Sequence, residues 1–217
     1  MIMQPGTKAI LRLLLAALGA LLTGVAGAQE TPPDVLVRTV TLEVVELIAK
    51  DKEIRDGSRA KLIQLIDVKV LPHFDFAAMT MLTTGQSWKN ASAVQKDRLT
   101  EEFRTLLVRT YASALSAYSE QKLEFRPLRA RPADTDVTVN VRVLQPGAQP
   151  VPIDYSMEKT AAGWKVYDVA IGGVSLVASY RTEFSNVIRD DGIEGLIRKL
   201  QAKNRPSEGA QVTAQKR

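Results

Sequence analysis

DVTVNVRVLQPGAQPVPIDYSMEK, Asp136 to Lys159, decides the fold. Val137, Val139, Val141 and Val143 occupy alternate positions, with Thr138, Asn140 and Arg142 between them. After Pro146-Gly147 the pattern resumes, with Val151, Ile153, Tyr155 and Met157 set against Asp154, Ser156 and Glu158. Successive strand residues point to opposite faces, so each run has one apolar and one wet face. Two such runs joined by a Pro-Gly turn are antiparallel neighbours. Upstream, KLEFRPL offers Leu123 and Phe125; downstream, beyond a turn at Ala162-Gly163, KVYDVAI offers Tyr167, Val169 and Ile171. Four strands are expected.

Working outward, the flanking segments read as helices. Leu36, Val40, Val44, Leu47 and Ile48 form one helical stripe, entered through Thr31-Pro32-Pro33 and broken at Asp56-Gly57. RAKLIQLIDVKVL is a second helix, ended by Pro72. Phe74 to Thr83 is a short apolar piece closed by Gly85. The longest helix starts at Ser92, with Gln95 three residues on as a capping box. Its stripe is Leu99, Phe103, Leu106, Leu107, Thr110, Ala114, Leu115 and Tyr118, and it is expected to reach Glu120. Two more helices, Ser175 to Arg189 and Gly192 to Lys203, carry Phe184, Ile188, Ile193, Leu196, Ile197 and Leu200. The expected class is α+β, with helices stacked on one side of a four-stranded antiparallel meander.

Both ends fall outside this domain. Lys8 and Arg12 precede an uncharged run from Leu13 to Ala28 that ends Ala26-Gly27-Ala28, the pattern of a secretory signal peptide cleaved after Ala28. The run is shorter than the roughly 20 residues that span a bilayer. One domain then covers 29–203, and 204–217 is a polar tail without apolar period, expected to be disordered. The 217 residues include no cysteine, which excludes disulfides, thiolate zinc sites and cysteine nucleophiles. The net charge of +5 sits at the ends. Removing the two leader and four tail cations from 29, and Glu208 from 24, leaves 23 of each sign between Gln29 and Leu200. A nucleic-acid binder carries its positive charge on the folded body, so none is expected as partner.

Few groups could do chemistry. His73 is the only histidine, and Asp75 beside it could make it a general base, but no second histidine or cysteine completes a dyad. Asp154 reads as solvated on a polar strand face, and Asp168 as a residue holding a neighbouring loop by hydrogen bonds. Gly172-Gly173 lacks the lysine and further glycine of a phosphate loop. What remains is one-sided apolar surface. Trp88 and the series Phe103, Tyr111 and Tyr118 are either filled core or the border of a cavity, and periodicity does not separate the two.

Five motifs in register carry a family resemblance. They are Pro72-x-Phe74-Asp75, Gly85-x-x-Trp88, Tyr111-Ala112, Trp164-Lys-Val-Tyr-Asp-Val169 and Gly173-Val-Ser-Leu176. Over about Pro33 to Lys203 the chain resembles the MlaC family of periplasmic phospholipid-binding proteins, also called toluene-tolerance auxiliary proteins. Gly172 departs from the pattern, which has an acidic residue there. The resemblance implies a curved four-stranded antiparallel sheet packed against helices, with acyl chains in an apolar cavity between them and the head group outside. Val139, Val141, Ile153, Tyr155, Tyr167, Val169 and Ile171 would form the sheet wall, and Val174, Leu176 and Val177 the mouth. Phe74, Met79, Leu82, Trp88, Phe103, Leu107, Tyr111 and Leu115 would form the helical wall.

The same resemblance implies a monomer in the periplasm with no metal and no cofactor other than bound phospholipid. Its partners would be an inner-membrane ABC transporter complex with an MCE-domain protein, and an outer-membrane lipoprotein–porin complex. A diacyl lipid has roughly thirty methylenes at about 0.8 kcal/mol each, so exposing them costs more than about 20 kcal/mol. A carrier must shield that area with apolar walls and needs no reactive groups. Two other readings stand beside it. One is a secreted hydrolase or isomerase on a cone-shaped α+β fold, using Asp75, Asp168 and His73; the other is a protein-binding adaptor with a filled core.

Overall fold

A computed structural model describes residues 31–116, 122–131 and 133–205. The expectations for the leader at 1–28, for Tyr118 and Glu120, and for the tail from 206 onward lie outside the described residues. Helix α1 is Pro33–Lys50, α2 Lys52–Arg55, α3 Arg59–Lys69, α4 Phe76–Thr84, α5 Ser87–Asn90 and α6 Ala93–Ser116. Strands β1 Lys122–Phe125, β2 Asp136–Leu144, β3 Val151–Thr160, β4 Gly163–Ile171 and β5 Val174–Ser175 follow, and α7, Leu176–Asn204, closes the fold.

The strands form one antiparallel sheet in chain order, β1-β2-β3-β4-β5. Along β2 the valines are buried and the residues between them exposed, as the alternation requires. Among the described residues the sheet has five strands where the sequence suggested four. Gly172 and Gly173 both take positive φ, +60° and +83°, which folds Val174-Ser175 back onto Ala170-Ile171 before α7 begins. The expected helix start at Ser175 is therefore a strand residue that also caps α7, its hydroxyl accepting the Ala178 N–H at 3.0 Å.

A second difference lies in β4. Ser156 pairs with Asp168, but the next residue of β3, Met157, pairs with Val166, so Tyr167 is an extra residue opposite no partner. Such a bulge switches the parity of the strand. Trp164 and Val166 face inward before it, Val169 and Ile171 after it. Tyr167 faces outward, and its hydroxyl donates to Asp136 Oδ2 at 2.9 Å.

Local chemistry sets the helix ends. Pro33 suits the first turn of α1, and Val37, Val44 and Ile48 are its buried stripe. The helix stops at Lys50 because the Asp51 carboxylate accepts the Glu53 and Ile54 N–H groups and starts α2 there, five residues before the Asp56-Gly57 break. The Asp75 carboxylate accepts the Ala78 N–H at 2.8 Å and caps α4, and Gly85 at φ +58° ends it. The buried threonines of α4 satisfy themselves: Thr80 donates to the Phe76 carbonyl, Thr83 and Thr84 to that of Thr80. The Ser92–Gln95 capping box forms in both directions, at 3.0 and 3.2 Å. Helix α7 carries a kink at Gly192, φ +69°, which divides it where two helices were expected.

Three apolar clusters result among the described residues. Met79, Leu99, Phe103, Phe184, Leu196, Ile197 and Leu200 pack between α4, α6 and α7. Val139, Val141, Met157, Trp164, Val166 and Val169 pack on the inner face of the sheet together with Val37 of α1. Val44, Ile48, Ile54, Leu62, Ile66 and Ala112 join α1, α2, α3 and α6.

Candidate functional site: an apolar cavity

Where these clusters meet they leave a cavity of about 250 Å³. The sheet contributes Leu123, Val141, Val143, Ile153, Tyr155, Met157, Val166, Val169 and Ile171. Helix α1 lays Leu36, Val37, Val40, Thr41, Val44, Val45 and Ile48 along it, positions that recur every three or four residues and so share one helical face. Helix α6 adds Leu107, Val108, Tyr111 and Ala112, and the chain from α3 to α4 adds Ile66, Val70, Leu71, His73, Phe74, Phe76 and Met79. Leu176 completes it. Among the described residues no charged side chain lines it, and Thr41, His73, Tyr111 and Tyr155 are the lining residues with polar groups.

Of these, the imidazole is shifted by its surroundings. Burial, and then the nearby Lys165 ammonium, hold the His73 imidazole below its usual pKa, against a smaller opposing pull from Glu43. The surroundings therefore favour the uncharged imidazole. Lys165 is itself occupied, its ammonium donating to the Pro72 carbonyl at 2.5 Å. Burial also pushes the Tyr180 phenol, which interacts with Tyr111 and Thr110, up to about 12. A wall of this kind attracts hydrocarbon.

The residues expected to form a lipid site divide. Phe74, Met79, Leu107, Tyr111, Val141, Ile153, Tyr155, Val169, Ile171 and Leu176 line the cavity. Phe103 is fully buried away from it, in edge-to-face contact with Tyr180 and Phe184, and Leu82 and Val177 join the same helical cluster. Val139 points inward but packs in the solid part of the sheet cluster. Tyr167 is turned to the outer face by the bulge, contrary to the expected alternation. Val174 is 60% exposed on the hairpin, and Trp88 in α5 lies under the Lys96 ammonium. Leu115 belongs to α6, but its side chain lies outside the described residues. The sequence reading passed over the α1 face, although the Leu36, Val40, Val44, Ile48 stripe was visible as a pattern.

His73, Asp75 and Asp168 do not assemble as a catalytic group. Asp75 caps α4, Asp168 accepts three hydrogen bonds near the start of α7, and His73 faces the cavity without a hydrogen bond to either carboxylate. Among the described residues no cluster of histidine, aspartate and glutamate could hold a metal ion. No described helix is long and apolar enough to cross a membrane.

Comparison with known proteins agrees with this geometry. The family model for the MlaC protein matches residues 38–202. The intermembrane phospholipid transport system binding protein MlaC of Haemophilus influenzae is 26% identical over 177 residues, covering 79% of this chain and 82% of that protein. The toluene tolerance protein ttg2D of Pseudomonas putida is 26% identical over 168 residues, covering 76% of each. A phospholipid-binding protein from Ralstonia solanacearum, solved in complex with a phospholipid, superposes with a TM-score of 0.75 at 36% identity. That match covers 80% of this chain and 97% of the solved one.

Proposed function

The chain belongs to the MlaC family, and from that premise we propose that it is a periplasmic phospholipid carrier that holds acyl chains in the cavity between sheet and helices. The observation that carries the proposal is the lining: apolar side chains from all three clusters, with no charge among the described residues, in a chain 36% identical to a protein solved with a phospholipid. Acyl chains gain from transfer out of water into such a wall whatever their order along it, which is why the site needs shape and little chemistry. The head group then stays at the surface, where it keeps its hydration.

The same reading assigns the rest of the system. The leader directs export and is cleaved after Ala28, residues 29–203 form the carrier, and the protein works as a monomer. It takes up and delivers lipid between an inner-membrane ABC transporter complex with an MCE-domain protein and an outer-membrane lipoprotein–porin complex. The names of the relatives, a transport-system binding protein and a toluene tolerance protein, support this assignment. No cofactor other than the lipid enters it.

The test is direct. Protein purified without detergent should release about one equivalent of phospholipid on organic extraction, measured by lipid mass spectrometry, and delipidated protein should take lipid up from vesicles. Protein that contains none and extracts none from vesicles would refute the carrier reading.

A further inference from the structure

Asp168 stands on the wet side of β4, outside the cavity, yet three donors converge on its carboxylate. The Val169 N–H at 2.8 Å and the Val177 N–H at 3.0 Å donate to Oδ1, and the Ser175 hydroxyl at 2.5 Å donates to Oδ2. The Ser175 oxygen accepts the Ala178 N–H in turn, so one carboxylate connects the middle of β4 to the first turn of α7. Within the span it closes lie Gly172, Gly173, the exposed Val174, and Leu176. Leu176 lines the cavity and packs against both the helical and the sheet clusters.

The other ties of this hairpin are few. β5 has two residues, Ser175 opposite Ala170 and Val174 opposite Ile171, and the Gly172 N–H donates to the Pro152 carbonyl at 2.9 Å. A two-residue strand does not hold its own register, and glycines in positive φ at both turn positions leave the backbone many alternatives. Hydrogen bonds to a charged acceptor are roughly twice as strong as neutral ones. The position of Leu176 against the cavity is thus fixed by a side chain more than by strand pairing.

We propose that Asp168 is a positioning residue for lipid exchange: its three hydrogen bonds hold the 172–176 hairpin and with it Leu176 against the cavity, and loosening them speeds entry and release of a phospholipid. This rests on the carrier reading above. The residue touches no lipid itself, so its removal acts on rate through Leu176.

The experiment follows transfer of a fluorescent phosphatidylethanolamine from the loaded protein to excess phosphatidylcholine vesicles containing a quencher lipid. Asp168→Ala should raise the release rate about tenfold, the equivalent of one charge-assisted hydrogen bond. Asp168→Asn keeps an oxygen for both backbone N–H groups and should raise it about threefold or less. Ser92→Ala removes a comparable cap from α6, about 20 Å along the helix from the cavity-lining residues, and should leave the rate unchanged. A release rate in Asp168→Ala within twofold of wild type overturns the proposal, as does an equal acceleration in Ser92→Ala. Should Asp168→Ala not fold, Ser175→Ala carries the test, and a rate indistinguishable from wild type overturns it. Wild-type protein that takes up no labelled lipid overturns the carrier reading and this proposal together, whereas wild-type loading with equal rates overturns this one alone.

Discussion

Phe103→Ala should cost about 3–5 kcal/mol of folding stability and leave lipid binding by the folded molecules unchanged. The ring is fully buried, its centroid 5.1 Å from that of Tyr180 and 5.2 Å from that of Phe184, both at 74° between planes. Each edge-to-face contact adds about 0.5–1.5 kcal/mol beyond the buried area. Met79 and Leu99 share its cluster, and the kinked α7 packs across it, so the void left by truncation has little freedom to collapse. For a chain of this size the unfolding midpoint should fall by roughly 6–20 °C. Thermal unfolding with lipid counted per folded molecule checks both halves. Loss of lipid at unchanged stability would place Phe103 on the binding site, where the resemblance first put it.

Val169→Gln should have the opposite signature. Val169 lines the cavity from β4, opposite Tyr155, in the part of the strand that follows the bulge. In the loaded protein its amide would be pressed against hydrocarbon without a partner, at a cost of about 1–3 kcal/mol, which is roughly a 5- to 150-fold loss of lipid affinity. In the empty protein the same amide faces free volume and not close-packed side chains, so unfolding should remain cooperative with a smaller loss of stability. Thr138→Gln, on the exposed face of β2, should change neither quantity measurably. Equal lipid loading of Val169→Gln and wild type in a vesicle uptake assay would remove this residue from the pocket.

These two residues also mark how far the sequence could be read. Alternation in β2 and β3 gives the sheet and its inner face directly, because a strand one residue out of step would expose every valine. The Ser92–Gln95 box and the Gly85 stop are local signals, and local contacts answer them. The bulge in β4 is different. Nothing in Val166-Tyr167-Asp168-Val169 marks one residue as extra, since the partner strand decides which residue goes unpaired. The same limit separates Phe103 from Leu107 and Tyr111, which follow it at intervals of four on one stripe of α6. A helical stripe says that a residue is covered but not by which neighbour, and here α7 covers the first while the cavity opens beside the other two.

The extra residue of β4 has a consequence best put in the language of heredity. Loss of a single codon inside a strand ordinarily inverts everything beyond it, exposing the interior and burying the surface. In this gene the codon for Tyr167 is an exception. Without it the strand reads Trp164, Lys165, Val166, Asp168, Val169, Ala170, Ile171, an unbroken alternation in which Trp164, Val166, Val169 and Ile171 all keep their present side. The pairings of Met157 with Val166 and of Ser156 with Asp168 would become consecutive. The deletion should therefore fold, with circular dichroism and cooperative unfolding like the parent, while β4 loses the bend that a bulge imparts. A deleted protein that collapses or aggregates would show that the bend itself, and not the order of apolar side chains, is what this strand cannot do without.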